Sequence, residues 1–224
     1  MSDADALAAR YARLKAMLPD GVTLVAVSKT RAPADIKALY DLGHRDFGEN
    51  YAQELRAKHP VLPADIRWHF IGHLQRSNVR HIVPIAHLIH GVDGAPLLDE
   101  IEKRAAAQGR GADVLLQVHI AQEESKHGLS TAEAEALARD WDPARWPRIG
   151  LRGLMGMATL TGDEEQVRAE FRGLARLFGR LKPLAPAPGR FDTLSMGMSG
   201  DLPLALAEGS NLVRVGTALF GDRG

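Results

Sequence analysis

Three short runs set reactive or anion-binding groups directly after apolar stretches. In AVSKT, Lys29 follows a β-branched apolar run that would partly withdraw it from water. An amine in that setting has its charged form disfavoured, so its pKa falls and it attacks carbonyls more readily. Position alone also fits an exposed loop lysine. The second run, LSMGMSGD at 194–201, combines two glycines with two serines. N–H groups of a Gly-rich turn and of a following helix start attract phosphate, and Ser199 adds a hydroxyl donor, although an ordinary turn between strand and helix has the same composition. The third run, VRVGTALFG at 213–221, carries Gly216 and Thr217 after a strand-like stretch. Arg214 lies inside that stretch, where a charge is costly unless an ion pair or a ligand accompanies it. Asn50, after FGE, could reach a group held near Lys29 or cap the helix that follows.

Nine histidines raise the question of a metal. His69 and His73 are four apart, but Gly72 and a strand end separate them, so the helical two-histidine geometry is not expected. His87 and His90 flank an apolar core and are expected to face opposite sides of a strand. No metal site is expected. Glu49, Glu123 and Glu124 stand near strand ends as candidate acids or bases, with a solvated rim charge as the plainer reading.

The elements that must position these residues alternate between short apolar runs and helical stretches. An amphipathic helix opens the chain, and VTLVAVS at 22–28 is the first strand. Its near-continuous apolar character suits burial on both faces. A helix follows with Pro33 in its first turn and Gly43 at its C-terminal cap. Further strands are expected at 44–50, 66–72, 87–92, 112–120, 151–159, 191–197 and 211–221. The helices between them cover 51–59, 74–82, 96–109, 131–141 and 164–179. Ser130 or Thr131 caps the helix over 131–141. Val167, Phe171, Leu174 and Phe178 mark an apolar stripe at helical spacing on the helix over 164–179. KPLAPAPG at 182–189 reads as a stiff surface connector. Eight strand-then-helix units predict an α/β fold, a single TIM-like (β/α)8 barrel preceded by a helix, with an open doubly wound sheet as the alternative. In such barrels the site lies at the C-terminal strand ends, and phosphate is often held after strands seven and eight.

Bulk properties restrict the function. The 28 basic and 28 acidic residues balance, so no general attraction to nucleic acid or to an anionic membrane is implied. The absence of cysteine excludes disulfides and thiolate chemistry. No apolar run approaches the roughly 20 residues of a membrane span, and the N-terminus does not resemble a signal peptide. A cytoplasmic protein with one domain over 1–224 is expected.

Taken together, AVSKTR, FGENYAQE, WHFIGHLQ, ESKHG, LRGLMGMA, LSMGMSGD and VRVGTALFG resemble, in this order, the pyridoxal phosphate homeostasis proteins, single-domain relatives of the alanine racemase barrel. The resemblance implies that Lys29 forms a Schiff base with pyridoxal 5′-phosphate. It implies that Ser199, Gly216 and Thr217 hold the phosphate and that Arg214 faces the pyridine nitrogen. Asn50 is implied beside the ring, with His69 and Met198 as neighbours. After WHFIGHLQ, where the family usually has an Asn-Lys pair, this chain has RSNVR at 76–80, and no role is transferred to Arg76 or Arg80.

An arginine at the pyridine nitrogen disfavours its protonation and so weakens the cofactor as an electron sink. Alanine racemases share that arginine but also use a tyrosine base from a second domain. Here the barrel is expected to take up the chain, leaving Tyr11, Tyr40 and Tyr51, all in predicted helices. The expectation is therefore a non-catalytic carrier that buffers the cofactor or delivers it to apo-enzymes, as a monomer or weak homodimer. The alternatives are a pyridoxal phosphate-dependent amino-acid racemase and a cofactor-free Schiff-base aldolase.

Overall fold

The computed structural model describes residues 3–123 and 126–221. Its eight strands are β1 (Thr23–Val27), β2 (Asp46–Glu49), β3 (Arg67–Phe70), β4 (Leu88–Val92), β5 (Ala112–Val118), β6 (Ile149–Gly156), β7 (Thr193–Ser195) and β8 (Leu212–Val215). All neighbouring pairs are parallel, and β1 pairs with β8 from Thr23↔Leu212 to Ala26↔Val215, so the sheet is a closed barrel and not an open doubly wound sheet. Around it run α1 (Asp3–Met17), α2 (Pro33–Asp41), α3 (Ala52–Lys58), α4 (Val79–Ile82), α5 (Ala95–Ala107), α6 (Thr131–Arg139), α7 (Glu164–Leu181), α8 (Leu202–Ala207) and α9 (Thr217–Phe220).

β1, β4 and β5 are largely apolar on both faces because both are covered. Val25, Leu88, Leu115, Met155 and Leu212 pack inside the barrel, while Leu24, Ala26, Phe47, Val213 and Val215 belong to the larger core under the helices. On β1 this alternation turns Val25 and Val27 inward and sends Lys29 to the same side. Local signals fix the helix ends. Ser130 and Glu133 form a capping box at α6, and Asp163 accepts two N–H groups at the start of α7. After α2, Gly43 at φ 92° lets its own N–H reach Tyr40 O and the His44 N–H reach Leu39 O, which ends the helix in a Schellman turn.

Three expectations need correction. The run at 211–221 is not all strand: β8 stops at Val215, and Thr217–Phe220 turns helical, burying Leu219 and Phe220 while Arg10 Nε donates to Leu219 O at 2.7 Å. The stretch 74–82 is a 3-10 turn over Arg76–Asn78 followed by the single turn of α4. The connector at 182–189 lies at the surface as expected, opening with a 3-10 turn and burying Ala185 alone. Tyr51 stands one residue ahead of α3 and is exposed.

His44 is buried, donating from Nε2 to Asp46 O at 2.8 Å and facing the Tyr11 hydroxyl with Nδ1. Burial pulls its pKa from 6.5 down to about 4. The unfolded chain thus takes up a proton before the folded one, and stability falls as pH drops through that window, by about 3 kcal/mol in total. Urea unfolding at about pH 7 and about pH 4.5 is expected to show most of this loss in the wild type and much less in His44→Gln.

Candidate functional site

Lys29 opens, with Val27, Arg31, Met198, Ser199, Gly200, Arg214, Gly216 and Thr217, into one cavity of about 260 Å³ at the C-terminal ends of β1, β7 and β8. The turn after β7 is shaped by Gly197, whose φ of 95° and close approach to Ala205 exclude a side chain. Asp201 Oδ1 accepts the Met198 N–H at 2.5 Å and closes the turn, which leaves Ser199 and Gly200 at the cavity wall. Ser199 Oγ in turn accepts the Ala218 N–H at 3.4 Å, tying this loop to α9.

Arg214 faces inward from β8 and is buried. Its Nη2 donates to Gly156 O at 3.0 Å and its Nη1 to Ser195 Oγ. No carboxylate among the described residues pairs with it directly, so the ion-pair reading of this residue does not hold. Burial pulls its pKa down to about 10, which still leaves it charged at neutral pH.

From Arg214 a buried chain of hydrogen bonds crosses the barrel. Ser195 Oγ lies 3.2 Å from His90 Nδ1, His90 Nε2 lies 3.0 Å from His69 Nδ1, and His69 Nε2 lies 3.1 Å from Asp46 Oδ1. Arg214 can only donate, so Ser195 Oγ accepts from it, and the Asp46 carboxylate can only accept, so His69 donates to it from Nε2. Burial, followed by the positive charges nearby, holds His90 well below its ordinary pKa and keeps it neutral. Burial opposes ionisation of Asp46, but the His69 and Arg67 hydrogen bonds outweigh it and hold the carboxyl well below its ordinary value. Ser195→Ala removes an acceptor of Arg214 and the hydrogen-bond partner of His90 Nδ1; an expected loss of about 1–3 kcal/mol would be read as a lower urea midpoint.

A second cluster lies outside the barrel wall, under the backbone that carries Lys29. Lys58 Nζ donates to Ser28 O at 2.9 Å, Glu49 Oε1 at 2.8 Å and Glu54 Oε2 at 2.7 Å. Ser28 Oγ donates to the same Glu49 oxygen at 2.6 Å, and Glu54 Oε2 accepts the Thr30 N–H at 2.7 Å. Burial pushes the Glu49 carboxyl up, against the opposing pull of Lys58 and Ser28. Thr30 has φ 62°, the left-handed region that a β-branched residue avoids, at a cost of ~1–3 kcal/mol.

Of the residues singled out from the sequence, Lys29, Met198, Ser199, Arg214, Gly216 and Thr217 meet in one cavity, whereas Asn50 and His69 do not. Asn50 borders a neighbouring cleft with Tyr51, Gly72 and His73, and it does not cap α3. Its Oδ1 is buried without a partner. His69 is held in the barrel interior by Asp46 and His90. His87 and His90 do not point apart, since both rings lie against His69, at 5.6 and 5.2 Å between centroids. Glu49 is not a solvated rim charge but fully buried. Glu123 accepts from Leu160 N and Lys126, and Glu124 lies outside the described residues. Arg76 and Arg80 stay away from the cavity. No cluster among the described residues could hold a metal, and no described helix is long and apolar enough to cross a membrane.

Sequence reasoning missed Arg31, Thr30, Glu54, Lys58 and the polar column Ser195–His90–Asp46. The column had a signal at His90, the one polar side chain in the otherwise apolar run of β4.

A closed parallel barrel with a lysine after its first strand and a glycine- and hydroxyl-lined cavity beside its last two defines the alanine racemase class of barrel, and the model of the alanine racemase N-terminal domain matches residues 2–224. Within that class the chain belongs to the pyridoxal phosphate homeostasis protein family. It is 36% identical to the family member from Synechocystis sp. over 216 residues, covering 95% of this chain and 97% of that one. It is 37% identical to the Escherichia coli K12 member over 209 residues, covering 92% and 87%. PipY of Synechococcus elongatus PCC7942, solved with PLP bound, is 36% identical and superposes with a TM-score of 0.86 over 96% of this chain and 100% of that chain. Alanine racemase from Bartonella henselae, 18% identical, shares the fold at a TM-score of 0.73 over 98% of this chain and 61% of that chain.

Proposed function

We propose that this chain, as one barrel domain over 1–224 in the cytoplasm, binds pyridoxal 5′-phosphate through a Schiff base on Lys29 and buffers or delivers it without turning over a substrate of its own. One observation carries the reading: Lys29 opens into the same cavity as Ser199, Gly200, Gly216, Thr217 and Arg214. The donor set fits the group. Three cationic side chains line the cavity with no carboxylate among its lining residues, and two hydroxyls and two glycines stand where a dianionic phosphate needs donors. Ser199, Gly216 and Thr217 would take the phosphate, Met198 would border the ring, and Arg214 would face its nitrogen.

When bound, the cofactor supplies an aldehyde and an electron sink that is strongest with its ring nitrogen protonated. Arg214 has no acceptor to offer that nitrogen and works against its protonation. Tyr11, Tyr40 and Tyr51 all lie outside the cavity lining, as do His and the acidic residues, so no side chain of the described set stands ready as a second base there. PipY with PLP bound and the homeostasis proteins among the relatives support the same reading.

The test is transfer. The loaded protein, mixed with the apo-form of a pyridoxal phosphate enzyme, is expected to restore that enzyme's activity while showing no racemase or transaminase turnover itself. Turnover at an enzyme-like ~1 s⁻¹ or faster would overturn the carrier reading.

A further inference from the structure

We propose that Glu54 and Lys58 are positioning residues that grip the two peptide groups flanking Lys29 and so aim its amine into the cavity. The inference rests on the reading of Lys29 as the attachment point. Lys58 holds the carbonyl on the N-terminal side of Lys29, that of Ser28, at 2.9 Å. Glu54 holds the N–H on the C-terminal side, that of Thr30, at 2.7 Å. The two gripping groups are bonded to each other at 2.7 Å and are four residues apart on α3, so one helical turn sets the backbone on both sides of Lys29. Lys58 is itself locked by the buried Glu49, which also takes the Ser28 hydroxyl.

The clamp has an observable consequence in the backbone. Thr30 sits at φ 62°, a conformation a threonine leaves when nothing holds it. The Glu54 carboxylate is a hydrogen-bond partner that supports that conformation through the Thr30 N–H. Relaxation of Thr30 would swing the preceding side chain, and a misplacement of about 1 Å in a reacting group can cost ~100-fold in rate.

The experiment measures two quantities on the full chain. One is the rate at which the Lys29 amine condenses with the aldehyde of pyridoxal 5′-phosphate, releasing one water, followed by the visible band. The other is the Kd of pyridoxine 5′-phosphate, which has the phosphate and ring but no aldehyde. Glu54→Ala is expected to slow condensation by ~10–100-fold while leaving the Kd of the alcohol within about two-fold. Adding Thr30→Gly to Glu54→Ala is expected to recover several-fold of the rate, because glycine accepts the left-handed conformation without help. General loosening would not be repaired by a more flexible residue. Glu54 is a quarter exposed, so its removal is compatible with folding, and Glu54→Gln, which keeps an acceptor, is expected to fall between wild type and alanine. Condensation at the wild-type rate in Glu54→Ala, or no recovery with Thr30→Gly, would overturn the clamp and leave Lys29 as the attachment point. Wild-type protein that never condenses with the cofactor would overturn both.

Discussion

Lys29→Ala is expected to lose the visible band of protein-bound pyridoxal 5′-phosphate altogether and to weaken retention of the cofactor by ~100-fold or more, equivalent to ~2.7 kcal/mol. The remaining cavity residues would still attract the phosphate, so weak, reversible binding should persist. Lys29→Arg separates charge from nucleophilicity. Its guanidinium keeps the positive charge but stays protonated at all working pH values, so this variant too should show no band. Absorbance spectra of the two variants after incubation with cofactor and gel filtration provide the measurement. A band surviving in both would place the attachment on another amine.

Gly153→Ala is expected to carry the largest cost to folding, above ~4 kcal/mol, and to leave little folded protein. β5 and β6 pair Val114 with Leu151 but Leu115 with Gly153, so Arg152 is an extra residue in the β6 strand. Gly153 resumes the ladder at φ 151°, and a Cβ there would lie 1.8 Å from Thr193 O and 2.8 Å from Thr193 C. Both atoms are backbone of the adjacent strand, which cannot yield without opening the barrel. Arg152 uses the bulge to reach Asp113 at 2.9 Å and Asp192 at 3.0 Å, binding three strand ends together. Gly179→Ala is the control. Gly179 is an exposed position inside α7 with nothing near its would-be Cβ, so alanine should stabilise the protein by ~0.5–1 kcal/mol. Circular dichroism against urea measures both; a folded Gly153→Ala of wild-type midpoint would refute the steric argument.

Much of this architecture is legible in the chain because several strands are short apolar runs and several helices carry their own start or stop signal, as Ser130, Asp163 and Gly43 show. Closure is not, since it depends on β1 meeting β8 across nearly two hundred residues. The cavity was legible for a related reason: Lys29, Ser199, Gly216 and Thr217 all follow strands, and in a parallel barrel every strand end reaches the same rim. His69, which the family resemblance implies as a neighbour of the cofactor, stands late in β3 but does not line the Lys29 cavity. The register sets it beside Leu88, the first residue of β4, where its ring finds Asp46 and His90 instead. Glu49 stands at a strand end, where a solvated rim charge is the plainer reading, and Lys58 carries no signal of its own; only the packing of α3 against β2 makes them buried partners.

Attachment at Lys29 is a covalent bond between one amine and one aldehyde. Its most direct test is borohydride reduction of the wild-type protein loaded with pyridoxal 5′-phosphate, followed by proteolysis and mass mapping of the modified lysine. One reduced adduct is expected, on Lys29. An adduct confined to another lysine such as Lys58 or Lys126, or no stable adduct at all, would contradict it.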